Sequence, residues 1–130
     1  MKVGIFDKVY QRATPEETFA ALGAAGFEAV QLHLSVGGLE DFPTEVPGEV
    51  ARRLRRAAGD VEITAVSGMW NMAHPDAAVR REGLRRLEAV AGACGALGTG
   101  IVSICTGSRN TASMWRPHPE NGTHEAWADI

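Results

Sequence analysis

The sequence alternates short apolar runs with amphipathic helical segments, and this alternation limits the possible folds more than any other feature. A short apolar run bounded by turn residues is typical of a buried strand. The predicted strands are Val3–Phe6, Phe27–Leu34, Val61–Val66 and Ile101–Cys105. Because strands that alternate with helices pair in parallel through right-handed crossovers, the sequence predicts an α/β fold.

A helix-start signal follows each predicted strand. Thr14 is a capping residue, Pro15 suits the first helical position, and Glu17 completes a Thr-x-x-Glu capping box. The other helices are predicted from Pro47 to Ala58, from an Asp76 cap to about Leu97, and from a Thr123 cap onward. In the longest of them, helical spacing relates Val79, Leu84, Leu87, Val90 or Ala91, Cys94 and Leu97.

The repeat length points to a barrel. Each βα unit takes about 30 residues, and eight such units make a (β/α)8 barrel of about 250 residues. The 130 residues hold four units, and the last helix has barely one turn when the sequence ends at Ile130. We therefore predict four βα units of a (β/α)8 TIM barrel: a parallel half-barrel over residues 1–130, truncated at the start of its fourth helix.

Composition restricts the classes of partner. With 45% hydrophobic and 22% charged residues, the chain is typical of a folded globular protein, and its net charge of -3 disfavours nucleic acid and membrane surfaces. Cys94 and Cys105 give neither a disulfide framework nor a zinc-ligand spacing. The apolar run Met1–Phe6 is too short for a signal peptide or a membrane span. A cytoplasmic location is predicted.

The segment Ser67–Asp76 lies where the third strand ends and the longest helix begins. Ligands of parallel α/β folds bind at the carboxyl ends of strands, so three of its residues are predicted to contact substrate. Trp70 would form an apolar wall against a ligand, or else belong to the core at the barrel rim. Asn71 would bind a hydroxyl group. His74 would bind a hydroxyl or phosphate, unless it only fixes the turn before the helix.

Three more candidates lie outside this segment. Arg109 follows the fourth strand, where its guanidinium suits phosphate or carboxylate; the alternative is an ion pair that anchors the loop. Trp115 would close over a ligand, or pack as an ordinary loop residue. His33 lies near the end of the second strand, and a lone histidine there is by default a hydrogen-bonded structural residue. The same default applies to Asp7, after the first strand.

Several loop and helix motifs resemble one family. The loop motifs are Asn71–Asp76, Cys105–Asn110, Met114–Arg116 and His118–Asn121. The helix segment Val79–Leu84 and the helix end Ala96–Gly98 fit the same pattern. They resemble the xylose isomerase-like TIM barrels, and more narrowly the bacterial sugar phosphate isomerases/epimerases. The resemblance runs over essentially the whole chain but covers only the amino-terminal half of such a protein.

The resemblance implies a sugar or sugar phosphate as substrate and a proton transfer beside a carbonyl. It implies a divalent metal (Mn, Mg, Co or Zn) in the full-length parent. The family's usual ligands, Glu, Asp, His and Glu, come from later strands, so no metal ligand is assigned to this chain and none is expected to bind to it alone. We therefore expect no isomerase activity from these 130 residues by themselves.

Two alternatives remain at this point. The endonuclease IV branch shares the barrel and hydrolyses phosphoesters, but it needs early-strand ligands for three metals, for which only His33 and His74 are candidates. The other alternative is a non-catalytic half-barrel that self-associates. Its first and fourth strands would have unpaired edges, which predicts a homo-oligomer.

Overall fold

In the computed structural model, which describes residues 1–130, four strands alternate with four α-helices. The strands are β1 (Gly4–Phe6), β2 (Ala29–Leu32), β3 (Glu62–Ser67) and β4 (Val102–Ser103). The helices are α1 (Pro15–Ala24), α2 (Gly48–Ala58), α3 (Ala77–Leu97) and α4 (His124–Ala128). Short 3-10 turns span Asp7–Val9, Leu34–Gly37 and Pro119–Gly122.

The four strands form one parallel sheet in the order β1-β2-β3-β4, as the alternating pattern predicts. Three strands are shorter than predicted: β1 begins one residue late, at Gly4, and β2 and β4 are shortened at both ends. A 3-10 turn beginning at Leu34 ends β2 early. The pairing of β4 stops at Ser103 because its only neighbour, β3, ends at Ser67.

The predicted helix caps are present. The side chains of Thr14, Asp76 and Thr123 accept hydrogen bonds from backbone N–H groups in the first turns of α1, α3 and α4. The capping box of α1 is only half formed, because Thr14 accepts from the Glu17 N–H at 3.2 Å and the Glu17 carboxylate makes no return bond. No helix is both long and apolar enough to cross a lipid bilayer.

The core lies between one face of the sheet and the helices α1, α2 and α3. Its fully buried side chains include Leu22, Val30, Leu32, Leu54, Val66, Val90 and Leu97. The other face of the sheet is open, and a shallow groove of about 220 Å³ there is lined by Gly4, Ile5, Phe6, Gln31 and Thr64. On this open face, the Gln31 side chain on β2 reaches across β3 and donates a hydrogen bond to Ser103 Oγ on β4 at 2.6 Å.

The predicted apolar face of α3 is wrong at two positions, since Val79 is 41% and Leu84 51% exposed. The buried residues of the helix start at Gly83 and continue through Val90, Ala93, Cys94 and Leu97. Val79 shares that direction but lies one turn earlier, before the buried contacts begin. Leu84 is rotated about 100° from Gly83, so it points away from the core.

Gly83 gives the first test. A Cβ at this position would lie 2.0 Å from Trp70 Cε3, whereas a Cβ at Gly92 of the same helix meets nothing within 4 Å. We expect Gly83→Ala to lower the free energy of unfolding by about 1–3 kcal/mol through overpacking. Gly92→Ala, the matched control, should raise it by up to about 1 kcal/mol through helix propensity. Urea denaturation followed by circular dichroism measures both, and equal effects would contradict the Trp70–Gly83 packing.

Candidate functional site

Polar side chains collect at the carboxyl edge of the sheet, where all four parallel strands end. This edge is where α/β barrels place their sites, because the loops that follow the strands meet there. Two clusters occupy it. One joins the loops after β1 and β2, and the other joins the loops after β3 and β4.

The first cluster is built on Asp7, which is completely buried. Its Oδ1 accepts a hydrogen bond from the His33 backbone N–H at 2.9 Å and lies 2.6 Å from His33 Nδ1. Its Oδ2 accepts from Gln11 Nε2 at 3.1 Å, and the same amide donates to Ser35 Oγ at 2.9 Å. Hydrogen bonds therefore compensate the buried carboxylate on both oxygens.

The Asp7–His33 pair fixes how the imidazole presents its second nitrogen. An ionised carboxylate only accepts hydrogen bonds, so the proton of the neutral ring lies on Nδ1 and Nε2 carries a lone pair. His33 is only 5% exposed. Its Nε2 has no hydrogen-bond partner in the chain and remains accessible to solvent. In the neutral form of the ring, this nitrogen can accept a hydrogen bond from a direction that the Asp7 contact fixes.

The second cluster is built on amide side chains. Asn71 Oδ1 accepts from the Ser108 backbone N–H at 2.8 Å, and Asn121 Oδ1 accepts from the Arg109 backbone N–H at 2.8 Å. Gly107 has φ +77° and a Cβ there would lie 2.1 Å from Asn71 Oδ1, so only glycine fits. The amide oxygen of Asn71 thus ties the loop after β3 to the loop after β4.

Arg109 is buried and paired. Its Nη2 lies 2.8 Å from Asp129 Oδ2, and the other oxygen of that carboxylate accepts from Arg80 Nη2 at 2.7 Å. The Arg109 Nε is buried without a partner. This geometry is that of the loop-anchoring ion pair, and it connects α4 to α3 and to the loop after β4.

Trp70 is buried in the packing beside α3. Its ring stacks on Phe42 with centroids 6.4 Å apart, and it fills the space left by Gly83. Its Nε1 is buried and unpartnered. These contacts are those of a core residue at the rim, the second of the two roles predicted for it.

The two remaining candidates differ in exposure. His74 is half-buried in the turn before α3, where its Nδ1 accepts from the Asp76 N–H at 3.1 Å and its carbonyl accepts from Arg80 at 2.7 Å. Trp115 is 69% exposed in the loop after β4. The structure thus joins Asn71 to Arg109 through Ser108 and Asn121, and places His33 in the other cluster. The substrate contacts of all six residues stay predictions.

Sequence reasoning missed the partners that hold these candidates: Asp7 for His33, Asn121 for the loop after β4, and Asp129 for Arg109. One signal was available for the first of them. Asp7 directly follows β1 and His33 directly follows β2, so parallel pairing of these strands makes the two residues neighbours.

A divalent metal does not fit the residues present. No group of three or more His, Cys, Asp or Glu side chains is placed to hold a metal ion. Both oxygens of Asp7 accept hydrogen bonds from His33 and Gln11, and the nearby carboxylate of Asp41 is paired with Lys8. The side chains at this edge therefore do not supply the ligand set of a metal centre.

Comparison with known proteins adds a family model and two solved structures. The family model described as xylose isomerase-like TIM barrel matches residues 19–130. The apo structure of the 3-keto-D-glucoside 4-epimerase from E. coli matches with a TM-score of 0.68 and 15% sequence identity, over 99% of this chain and 48% of that chain. A D-psicose 3-epimerase determined in the presence of D-fructose matches with a TM-score of 0.64 and 19% identity, over 99% and 44%.

These matches confirm the predicted fold: four parallel βα units that correspond to about half of an epimerase barrel. The chain spans less than half the length of either solved structure. At these identities the likeness shows the fold alone. No curated protein matches the chain.

The buried Asp7 carboxylate gives a second test. Asp7→Ala leaves the buried His33 backbone N–H and Nδ1–H without acceptors, so we expect the free energy of unfolding to fall by at least about 1–3 kcal/mol. Asp60→Ala, at an exposed residue without hydrogen-bond partners, should change it by less than about 0.5 kcal/mol. Urea denaturation of both variants measures these changes. An Asp7→Ala variant with an unchanged free energy of unfolding would contradict the proposed hydrogen bonds between Asp7 and His33.

Cys105 gives a third test. Burial raises the pKa of its thiol, and its Sγ contacts the Trp70 carbonyl at 3.6 Å. The reactive thiolate therefore forms only at a higher pH than for a free cysteine. We expect alkylation of Cys105 by iodoacetamide, followed by mass spectrometry, to be slow at pH 7 and still accelerating above pH 9. A rate that levels off below pH 8 would contradict this environment.

Proposed function

Because the chain belongs to the xylose isomerase-like TIM barrel family, we propose that it forms the substrate-binding part of a sugar or sugar-phosphate isomerase or epimerase. The observation that carries the proposal is the Asp7–His33 pair at the carboxyl edge, with His33 Nε2 open and oriented. Both solved structures that share the fold are described as sugar epimerases, which supports the same reaction class.

The chemistry of the first cluster suits sugar hydroxyl groups. His33 Nε2 accepts a hydrogen bond from a hydroxyl, and its ring cannot turn because Asp7 holds Nδ1 at 2.6 Å. An acceptor held in place loses little conformational entropy when it binds, so it discriminates hydroxyl positions better than a mobile side chain. The ring is also nearly buried, so water competes weakly for the lone pair.

A phosphate group would need an additional cation. The guanidinium of Arg109, the residue predicted for that role, is neutralised by Asp129, which it shares with Arg80. The uncharged side chains of Gln11 and Ser35 lie around Asp7 and His33, and the charged groups beside them, Asp41 and Lys8, pair with each other, so the Lys8 ammonium is also neutralised. This edge therefore favours the hydroxyl end of a sugar.

Isomerases of this reaction class move a proton beside a carbonyl, and in this family a divalent metal often supplies the charge stabilisation. The residues of this chain do not fit such a metal, so its ligands and the proton-transferring groups would come from outside these 130 residues. The part assigned to this chain is to bind and orient the sugar.

Sugar binding to the ¹⁵N-labelled chain tests the proposal. We expect a ketohexose to shift the amide resonances of residues around Asp7, Gln11 and His33 in heteronuclear NMR spectra, with fast exchange. His33→Ala should weaken binding about fivefold or more, the loss of one hydrogen bond of about 1 kcal/mol. His124→Ala, at an exposed histidine without hydrogen-bond partners, should bind like the unaltered chain.

Two results would count against the proposed function. One is the absence of any shift at the carboxyl edge with ketohexoses, aldohexoses and their phosphates at saturating solubility. The other is binding that the two histidine substitutions weaken equally, because His33 would then have no specific part in it.

A further inference from the structure

A second carboxylate lies near the Asp7–His33 pair. Asp41, in the loop between β2 and α2, accepts a hydrogen bond from the Ser35 side chain and lies within electrostatic range of the His33 ring. The Ser35 Oγ also accepts from Gln11 Nε2 at 2.9 Å, and the same amide donates to Asp7 Oδ2 at 3.1 Å. Hydrogen bonds thus connect Asp41 to the buried carboxylate, and the imidazole has two carboxylates in its surroundings.

Lys8 neutralises the second of these carboxylates. Its ammonium group forms an ion pair with Asp41 Oδ2, and both side chains are about half exposed. Partial burial opposes ionisation of Asp41, but the hydrogen bonds from Lys8 and Ser35 outweigh it and hold the pKa of Asp41 below its usual range. Asp41 is therefore ionised at neutral pH, and the ammonium group compensates its negative charge.

The fold holds Asp41 in place by contacts other than this ion pair. Arg86 Nη1, on α3, donates to the Glu40 carboxylate at 2.8 Å and to the Phe42 carbonyl at 2.6 Å. The Phe42 ring also stacks on Trp70, with centroids 6.4 Å apart. Both chain neighbours of Asp41 are therefore anchored, and removal of its cationic partner would leave the carboxylate near the imidazole.

The charge around an imidazole influences whether it is neutral. A nearby negative charge favours the imidazolium, in which both ring nitrogens carry protons and donate. The charged groups around His33 are Asp7 and Lys8, from the turn after β1, and Asp41, from the loop after β2. Its other neighbours in these contacts are uncharged: Phe6, Gln11 and Ser35. An uncompensated Asp41 would therefore favour a proton on Nε2.

We propose that Lys8 is a positioning residue of this site, which compensates Asp41 and so keeps the His33 imidazole neutral, with Nε2 as a hydrogen-bond acceptor. Lys8 acts through Asp41 and needs no contact with a ligand. The role concerns the site of the proposed function, and it rests on that function only for its effect on sugar binding. An imidazole that has gained a proton on Nε2 can no longer accept a hydrogen bond from a sugar hydroxyl.

The protonation of His33 Nε2 is measured by two-bond ¹H–¹⁵N spectra of the unligated chain, recorded as a function of pH at low ionic strength. We expect Lys8→Gln to move the midpoint of this protonation upward by about 1 pH unit, since the negative charge of Asp41 is then uncompensated and weakly screened. The acceptor would consequently be lost at a higher pH than in the unaltered chain.

Lys2→Gln is the matched control. Lys2 precedes β1, forms an ion pair with Glu62 that is similarly exposed, and its substitution changes the net charge of the chain by the same amount. This variant should leave the His33 midpoint unchanged. Equal midpoint shifts in Lys8→Gln and Lys2→Gln would overturn the proposal, because the effect would then follow from net charge alone.

Two further variants distinguish charge compensation from a structural role of the Lys8 side chain. Lys8→Arg keeps the cation, and Asp41→Asn added to Lys8→Gln removes the uncompensated carboxylate. Both should restore the midpoint of the unaltered chain. A shift in Lys8→Gln that Asp41→Asn does not reverse would overturn the role of Lys8.

The failure of this role and that of the proposed function are distinguishable, because the midpoint is measured without a sugar. The expected midpoints in a chain that binds no sugar would support the role of Lys8 and count against the proposed function. Sugar binding that depends on His33, in a chain whose midpoint ignores Lys8, would overturn the role of Lys8 alone.

Discussion

Parallel pairing of the strands is the constraint on which the rest of the structure depends. It brings the carboxyl ends of β1 and β2 side by side, so Asp7 and His33 meet although 26 residues separate them in the chain. The same pairing brings the loops after β3 and β4 together through Asn71 and Ser108. The helices cover one face of the sheet only, so the other face and both edges stay open.

The buried carboxylate of Asp7 fixes the orientation of the His33 imidazole. Removing a carboxylate from water costs several kcal/mol, and only well-directed hydrogen bonds offset that cost. Asp7 has three, two of them from His33, so the native geometry is the one in which its charge is tolerated. The pair therefore adds little net stability, but it makes one orientation of the imidazole far more favourable than any other. An oriented acceptor is what a hydroxyl-binding site needs.

Much of the architecture was predictable from local chemistry. The caps at Thr14, Asp76 and Thr123 and the four apolar runs determine where helices and strands lie, because capping and hydrophobic periodicity act over a few residues. The candidate site was less accessible. The side chains of Trp70 and Arg109 are set by Gly83, Phe42 and Asp129, all distant in sequence. The residue types identify the polar positions at the strand ends. Only the tertiary contacts show which of these side chains are already hydrogen-bonded or ion-paired within the chain.

The central claim is that Asp7 holds His33 with its Nε2 lone pair open at the carboxyl edge. Two-bond ¹H–¹⁵N correlation spectra of the imidazole measure this tautomer directly in the unligated chain at alkaline pH, where the ring is neutral. The account predicts a protonated Nδ1 and an unprotonated Nε2 for His33, and loss of this preference in Asp7→Ala. A ring protonated at Nε2, or a mixture of tautomers like that of the exposed His124, would contradict it.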